Sequence, residues 1–165
     1  MPARPALILF LLAAQVISAQ QWSIETVGRG TKPSLALTPE GEPRIAFMTE
    51  EAVGGLFYSR RGEGGWDNET VAQGYFYGPL DLKIDDTGAS HIVWHDHQET
   101  MFAPSVGDPV YATDGSGDWS VETIFHPGHD GWDGSVAVAP DGQVHIASID
   151  PAQFGSADGV EWGLR

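Results

Sequence analysis

Apolar and polar residues alternate in short runs along most of the chain, and each run ends at a turn that contains glycine. One such run begins at Pro33 and reads Pro-Ser-Leu-Ala-Leu, followed by the turn Thr-Pro-Glu-Gly. A period of two is typical of half-buried β-strands, and frequent glycine and proline interrupt helices. After the first 20 residues, the pattern therefore predicts an all-β chain of short antiparallel strands.

Four segments, which we name strands a, b, c and d, return three times. The segments are 33–41, 80–88 and 134–142 for a; 43–47, 90–94 and 144–148 for b; 55–59, 109–112 and 159–163 for c; and 22–27, 66–71 and 119–124 for d. Four-stranded units that repeat about every 45 to 50 residues are typical of β-propeller blades. A β-sandwich would not explain why the same turn chemistry returns in register. The repeat therefore predicts a β-propeller of four-stranded antiparallel blades.

The repeats divide the region 20–165 into about three blades. Blade 1 spans 33–72, blade 2 spans 80–125, and blade 3 spans 134–165 without a strand d, while an isolated strand d precedes them at 22–27. Closed rings have about 4 to 8 blades. Two explanations are open. The chain is a fragment that forms a partial ring, or two copies form a homodimer that closes one six-bladed ring, in which each copy contributes its strand d to the other. An unprotected strand edge is a hazard, which favours the fragment.

The first 19 residues have the layout of a secretory signal peptide. Arg4 supplies a positive charge, the apolar run Ala-Leu-Ile-Leu-Phe-Leu-Leu-Ala-Ala begins at Ala6, and small residues stand near Ala19. The run is shorter than the roughly 20 residues that span a bilayer, which argues against the alternative of a membrane anchor. We therefore expect cleavage near Gln20 and a secreted or periplasmic protein with no membrane span.

Charge and cysteine content narrow the choice of partners. The chain has no cysteine, and its 23 acidic and 8 basic residues give a formal net charge of −15. Without disulfides, an exported domain depends on burial and backbone pairing for its stability. The negative charge repels nucleic acid and anionic membrane surfaces, so neither is expected as a partner.

The turns between strands c and d carry degenerate versions of a known motif. Asp114 and Trp119 keep two positions of the pattern Ser-x-Asp-x-Gly-x-x-Trp, and Ser59 and Trp66 keep a different two. In these motifs and in its strand order, the mature chain resembles the secreted Asp-box (BNR-type) repeat propellers of the sialidase-like superfamily. The resemblance implies a propeller fold and raises the alternative of a sialidase-like or other glycoside hydrolase fragment.

The sialidase activity that this resemblance suggests uses an arginine triad. Loops d→a and b→c share one end of the blades, the top end, and the a→b and c→d turns share the bottom end. Arg44, Arg60 and Arg61 fall at the bottom, and only Arg29 falls in a top loop. No triad can be assembled from these positions, so the resemblance extends to the fold rather than to the activity.

Residues that are not repeated between blades concentrate in the top loops around blade 2. They include Tyr75, Tyr77, Asp96, Asp130, Trp132 and Asp133. Aromatic rings beside carboxylates suit a sugar, because apolar sugar faces stack on rings and carboxylates accept hydroxyl hydrogens. These residues predict a non-catalytic module that binds a glycan or a protein ligand.

Four histidines in the same loops suggest a metal site. His95 and His97 share one side of an extended strand, and His126 and His129 lie in the loop after blade 2. Imidazoles are ligands for zinc and other divalent metals, although no fixed-spacing metal motif is matched. The alternative is a solvated histidine-rich loop.

Two other sets of residues have structural interpretations. His91 and His145 occupy one repeated position on strand b, which indicates packing or hydrogen bonding between blades rather than a ligand site. In blade 2, Asp81 and Lys83 stand where blade 1 has Ser34 and Ala36, so we expect them to pair near the central channel.

Overall fold

The computed structural model describes residues 21–49, 54–74, 76–96, 108–124, 132–149 and 160–164, and every regular element in them is a β-strand. The strands are β1 (Thr31–Leu37), β2 (Pro43–Met48), β3 (Gly55–Gly62), β4 (Gly65–Gln73), β5 (Phe76–Ile84), β6 (Ser90–Asp96), β7 (Asp108–Thr113), β8 (Ser120–Thr123), β9 (Trp132–Val138), β10 (Val144–Ile149) and β11 (Val160–Leu164). The prediction of an all-β chain is confirmed. No helix that could cross a membrane occurs among these residues. The predicted signal peptide lies outside them.

The strands form three antiparallel sheets in which consecutive strands are neighbours. The first sheet has the order β1-β2-β3-β4, the second β5-β6-β7-β8, and the third β9-β10-β11. We keep the names blade 1, blade 2 and blade 3 for these sheets. Each one alternates its side chains between two faces, so it can pack against a neighbour on both sides.

The turn between strands a and b has the same geometry in all three blades. Gly41, Gly88 and Gly142 take positive φ angles of 86°, 88° and 84°. In each turn the glycine N–H donates to the carbonyl three residues earlier, at distances between 2.8 and 3.0 Å. Glycine adopts this left-handed conformation without steric cost, so it fixes the turn that pairs strand a with strand b.

Two apolar cores lie between neighbouring blades. The blades contact each other chiefly along their innermost strands β1, β5 and β9. The buried core between blades 1 and 2 consists of Ala46, Met48, Leu56, Tyr58, Val71, Leu80, Leu82, Ile92, Trp94, Val110 and Ala112. The core between blades 2 and 3 consists of Val93, Tyr111, Val136, Val144 and Ile146. Both faces of blade 2 are therefore buried, and strand β6 is buried along almost its whole length.

A repeated hydrogen bond, the interblade link, joins the innermost strands. The Ser34 hydroxyl accepts the N–H of Leu82 at 3.1 Å, and the Asp81 carboxylate accepts the N–H of Val136 at 3.0 Å. Ser34 and Asp81 occupy the same position in blades 1 and 2. Each blade thus holds the backbone of the blade that follows it.

The segment 22–27 forms no strand in this single chain and pairs with none of the described strands, so the predicted strand d at this position stays a prediction. It crosses the outward face of blade 1, the face turned away from blade 2. There Glu25 accepts a hydrogen bond from Arg61 at 2.9 Å, and the Val27 carbonyl accepts one from the Asn68 amide at 3.0 Å. These contacts involve side chains of a sheet face. They offer the segment no row of backbone groups such as a strand needs.

Candidate functional site

An open cleft of about 270 Å³ lies at the top end of blade 1, beside the segment that leads into β1. Its lining residues are Arg29, Thr49, Gly54, Gly55, Phe57, Thr70 and Gln73. They come from the d→a segment, the b→c loop and the top ends of β3 and β4. The cleft therefore sits on loops over a rigid sheet, a common location for binding sites.

Packing of aromatic rings holds one wall of the cleft in place. Phe57 stacks on Phe47, with ring centroids 5.6 Å apart and an interplanar angle of 18°. Gly30 lies so close to Phe47 that an added Cβ would stand 2.4 Å from its ring. A larger residue at position 30 would therefore displace the ring pair or the segment that carries Arg29.

Hydrogen bonds hold the loop that contributes Thr49, Gly54 and Gly55 to the cleft. The Thr49 N–H donates to the Gly55 carbonyl, and the Gly55 N–H donates to the Thr49 hydroxyl, both at 3.0 Å. The Gly74 N–H donates to the Gly54 carbonyl at 3.1 Å. The loop between β2 and β3 is thus tied to the end of β4.

The cleft brings together a guanidinium group, an aromatic ring, two hydroxyl groups and an amide. Arg29 is exposed, and no ion pair joins it to another residue in the described ranges. Guanidinium groups bind carboxylates and phosphates in bidentate fashion, and an aromatic ring offers a face for stacking. The cleft can therefore bind a ligand that has both an apolar face and oxygen acceptors.

The other arginines of blade 1 have contacts of their own. Arg60 pairs with Glu69 and Arg61 pairs with Glu25, both at 2.9 Å, while Arg44 donates to the Pro43 carbonyl. Within the described ranges, Arg29 is the one arginine that lines the cleft. An arginine triad is therefore not assembled among these residues.

The structure describes only part of the ligand site that the sequence predicts in the top loops of blade 2. Tyr75 and Asp130 lie outside the described residues, and for Tyr77 and Trp132 only the strand backbone is described, in β5 and β9. Asp133 is exposed and has a positive φ of 53°. Asp96 lies at the top end of β6. The binding role of all six residues stays a prediction.

Asp96 has an acidic neighbour that the sequence reading did not single out as a site residue. It pairs in register with Asp108 across β6 and β7, and with Phe76 across β6 and β5. Cross-strand partners on one face lie close together, and like charges directly opposite each other destabilise a sheet. The two aspartates therefore lie near each other at the top ends of β6 and β7.

Of the four histidines in the predicted metal site, the structure describes His95. His95 is 3% exposed and lies within β6, beside Gly78 of β5. His97, His126 and His129 lie outside the described residues. No group of three or more His, Cys, Asp or Glu side chains with metal-binding geometry occurs in the ranges that the structure describes. Zinc or another divalent metal at these four positions therefore stays a prediction.

His91 has structural contacts, but they lie within blade 2 rather than between blades as the sequence predicts. Its Nδ1 lies 2.6 Å from the Tyr111 hydroxyl, and its Nε2 lies 3.4 Å from the Asp85 carboxylate. Burial alone would raise the pKa of Asp85. Hydrogen bonds from Thr87, Ala89 and His91 outweigh it and lower the pKa below its ordinary value of 3.8. This cluster ties strand β6 to the a→b turn and to β7.

Asp81 and Lys83 form the predicted pair, with the Lys83 ammonium 2.7 Å from the Asp81 carboxylate. Burial alone would raise the pKa of Asp81. Hydrogen bonds from Lys83, the Val136 amide and the Ser135 hydroxyl outweigh it and lower the pKa below 3.8. The carboxylate therefore remains charged in the interblade link.

Sequence reasoning did not find the cleft of blade 1. The only signal was that Arg29 alone among the arginines considered falls in a top loop. Phe57 and Gln73 stand in ordinary strand positions, and their convergence depends on how β3 and β4 end beside the b→c loop.

Comparisons with known proteins give resemblance to solved structures only. No protein-family profile matches the chain, and no curated protein matches it significantly. Among solved structures, it is similar to a GH43 endo-arabinanase from Bacillus licheniformis, with a TM-score of 0.38 and 9% sequence identity. The alignment covers 81% of this chain and 52% of that one, so the chain spans about half the length of the matched protein. The blade arrangement described above rests on the packing of the three sheets themselves.

Proposed function

We propose that this protein is an exported, non-catalytic binding module that takes a glycan with an acidic group in the cleft at the top end of blade 1. One observation carries this proposal: Arg29 and Phe57 line the same cleft. Its volume lies just below the range of about 300 to 1,000 Å³ of small-molecule sites, which suits a single sugar ring.

The two residues recognise different parts of a sugar. The C–H face of a sugar ring is apolar and stacks on an aromatic side chain such as Phe57, while the ring hydroxyls reach Thr49, Thr70 and Gln73. A carboxylate on the sugar binds the guanidinium of Arg29 through two parallel hydrogen bonds. A neutral sugar makes the first set of contacts and lacks the second.

Binding without catalysis is the simpler function for this cleft. Glycoside hydrolysis generally uses two carboxyl groups placed on either side of the scissile bond. None of the described lining residues carries a carboxyl group. The alternative of a glycoside hydrolase fragment has no comparable support from the cleft.

Kinship with the Asp-box propellers and export by the N-terminal signal form part of the same proposal. The Asp114 carboxylate accepts the N–H of Ser90 at 2.6 Å, and Trp119 packs edge-on against Tyr58. Asp114 thus stabilises blade 2 and Trp119 packs blade 2 against blade 1, and such structural roles suit the motif residues of a repeat. Export would bring the cleft into contact with extracellular or periplasmic glycans.

The test is calorimetric titration of the protein with a panel of neutral oligosaccharides and oligosaccharides of uronic acids. We expect binding to an acidic member of the panel. Arg29→Gln should weaken it by about tenfold or more, because a charge-assisted pair contributes about 1.5 to 3 kcal/mol. Arg60→Gln, which removes an exposed arginine at the bottom of the same blade, is the matched control and should leave the affinity unchanged.

Two results would count against this function. One is the absence of binding to every member of the panel. The other is equal weakening by Arg29→Gln and Arg60→Gln, which would indicate general charge attraction rather than recognition in the cleft.

A further inference from the structure

The outward face of blade 1 exposes apolar side chains that the other two blades bury. Leu35 and Leu37 of β1 are 63% and 59% exposed. The residues at the position of Leu35 in blades 2 and 3 are Leu82 and Val136, and each is 1% exposed. The difference follows from packing, because Leu82 and Val136 are inserted against the preceding blade, whereas blade 1 has none before it in the described structure.

The same contrast holds on strand b. Ile45 is half-buried, whereas Ile92 and Ile146, at the same position in blades 2 and 3, are 0% and 9% exposed. Leu35 and Ile45 are paired in register across β1 and β2, so they present one apolar surface. Blade 1 therefore has the side chains by which a blade packs onto its predecessor.

Blade 3 has the complementary surface on the face that is turned away from blade 2. We call this the open face of blade 3. In blade 1, Ser34, Ala36 and Ala46 face blade 2: Ser34 accepts the Leu82 N–H, and the two alanines pack in the core between the blades. Blade 3 repeats the same residue types at the same positions, Ser135, Ala137 and Ala147. Ser135 and Ala137 are exposed, and Ala147 is half-exposed. The Ser135 hydroxyl donates its hydrogen to Asp81 of blade 2 at 3.0 Å, and its oxygen can still accept a hydrogen bond.

We propose that the outward face of blade 1 packs against the open face of blade 3 of a second copy of this chain. Both halves of the interface occur on one chain, so a second copy supplies the surface that each face lacks. In this contact Ser135 of one copy accepts the Leu35 N–H of the other, which continues the interblade link by one step. Two such contacts, related by a twofold axis, close a pair of chains.

The segment 22–30 leaves room for this contact. It lies against Phe47, Arg61 and Asn68, toward the outer strands of blade 1, and Leu35 and Leu37 of β1 remain exposed. Neighbouring blades in this protein meet chiefly along their innermost strands. Strand β1, which the segment 22–30 leaves exposed, is therefore the kind of strand that forms interfaces between blades.

The test is the absolute mass of the full chain, expressed in an exporting host and measured by light scattering on a sizing column at several concentrations. We expect twice the mass of one chain, and Leu35→Asp should convert it to the single-chain mass by placing a charge in an apolar contact. Val121→Asp is the matched control, since Val121 is an exposed apolar residue on β8, and should leave the double mass unchanged.

Cysteine pairing gives a second measurement that does not depend on a disruptive variant. The chain has no cysteine of its own, so Leu35→Cys and Ser135→Cys introduce the only thiols. A mixture of the two variants should form a disulfide-linked pair under mild oxidation, and neither variant should do so alone, because the contact joins unlike faces. Leu35→Cys mixed with Val121→Cys should not crosslink.

A single-chain mass at every concentration would overturn the proposal, and the face would then belong to a longer chain or another protein. A double mass that survives Leu35→Asp, or that Val121→Asp abolishes equally, would place the interface elsewhere. Assemblies without a fixed mass would exclude the closed pair. These readouts are independent of ligand binding and so of the glycan proposal.

Discussion

At the scale of single residues, Asp81 joins two blades through one carboxylate. It accepts hydrogen bonds from Lys83 within its own blade and from Ser135 and the Val136 amide of blade 3. Blade 1 forms the same link with the neutral Ser34. The charge at position 81 therefore adds strength to a bond that the fold makes in any case.

Replacing Asp81 by alanine should lower the free energy of unfolding by about 1.5 to 3 kcal/mol, because the Val136 N–H and the Ser135 hydroxyl lose their acceptor. Urea unfolding followed by circular dichroism measures this loss. Asp81→Ser should restore part of it, since serine makes the same link in blade 1. Asp86→Ala, at an exposed position of the adjacent turn, is the control; a loss as large as that of Asp81→Ala would mean that the link contributes nothing specific.

The pairing of Asp81 with Lys83 could be predicted from sequence, and the bonds of Asp81 to blade 3 could not. The pair follows from two residues that share one strand face. The interblade bonds depend on how far β9 is shifted along β5, and a period-two pattern contains no information on that shift. The same limit applies to the cleft, whose lining comes from loop and strand ends rather than from a motif.

At the scale of elements, the turn between β7 and β8 ties blade 2 to blade 1. Asp114 accepts hydrogen bonds from the Ser90 N–H at 2.6 Å and hydroxyl at 3.1 Å, and the Ser90 hydroxyl lies 2.7 Å from that of Tyr58 in blade 1. Burial is the main reason that the pKa of Tyr58 is raised above 10.0. Trp119 packs on the same tyrosine ring with centroids 5.1 Å apart.

Replacing Asp114 by alanine should destabilise the protein by about 2 kcal/mol, because the buried Ser90 loses its acceptors. Thermal unfolding gives the size of the effect. Asp118→Ala removes an exposed carboxylate from the same turn and should leave the stability unchanged. Equal effects of the two substitutions would contradict the structural role of the motif.

Strands were predicted well where a partner strand was available, and the exception shows why. The segment from Trp22 has the same Trp-x-x-Glu-Thr pattern as β4 and β8, yet it forms no strand, and Trp22 is 83% exposed. Strands β4 and β8 pair with β3 and β7, whereas this segment meets the side chains of a sheet face. Local sequence specifies a preference for extended backbone, and the partner decides whether a strand forms.

At the scale of the whole molecule, the net charge of −15 opposes the compact fold. Salt should therefore raise the melting temperature at pH 7, and the effect should vanish near the sequence pI of about 4.4. Differential scanning calorimetry in dilute buffer and in about 0.5 M NaCl measures the salt effect at each pH. At about 0.5 M NaCl the Debye length is near 4 to 5 Å, so exposed charges are screened. Equal salt effects at the two pH values would contradict this explanation.

Lowering the pH further should reduce the stability of the folded state, whereas lowering it toward the pI relieves charge repulsion. The pKa values of Asp81 and Asp85 are lowered in the folded state, so their contribution to stability is fully present above the unfolded pKa of about 3.8. It is lost as the pH falls through their folded pKa values. In the same calorimetric series, the two opposing effects should give a maximum of stability between roughly pH 4 and 6.

The interblade link also affects the order in which the blades can be buried during synthesis. Each link joins a side chain to a backbone group in the next blade, and for Ser34 that group lies 48 residues later in the chain. While the chain is being synthesised, blade 1 can form its own ladder but cannot bury its inner face until β5 has emerged. Each new blade therefore completes the burial of the one before it, in the order in which the chain is made.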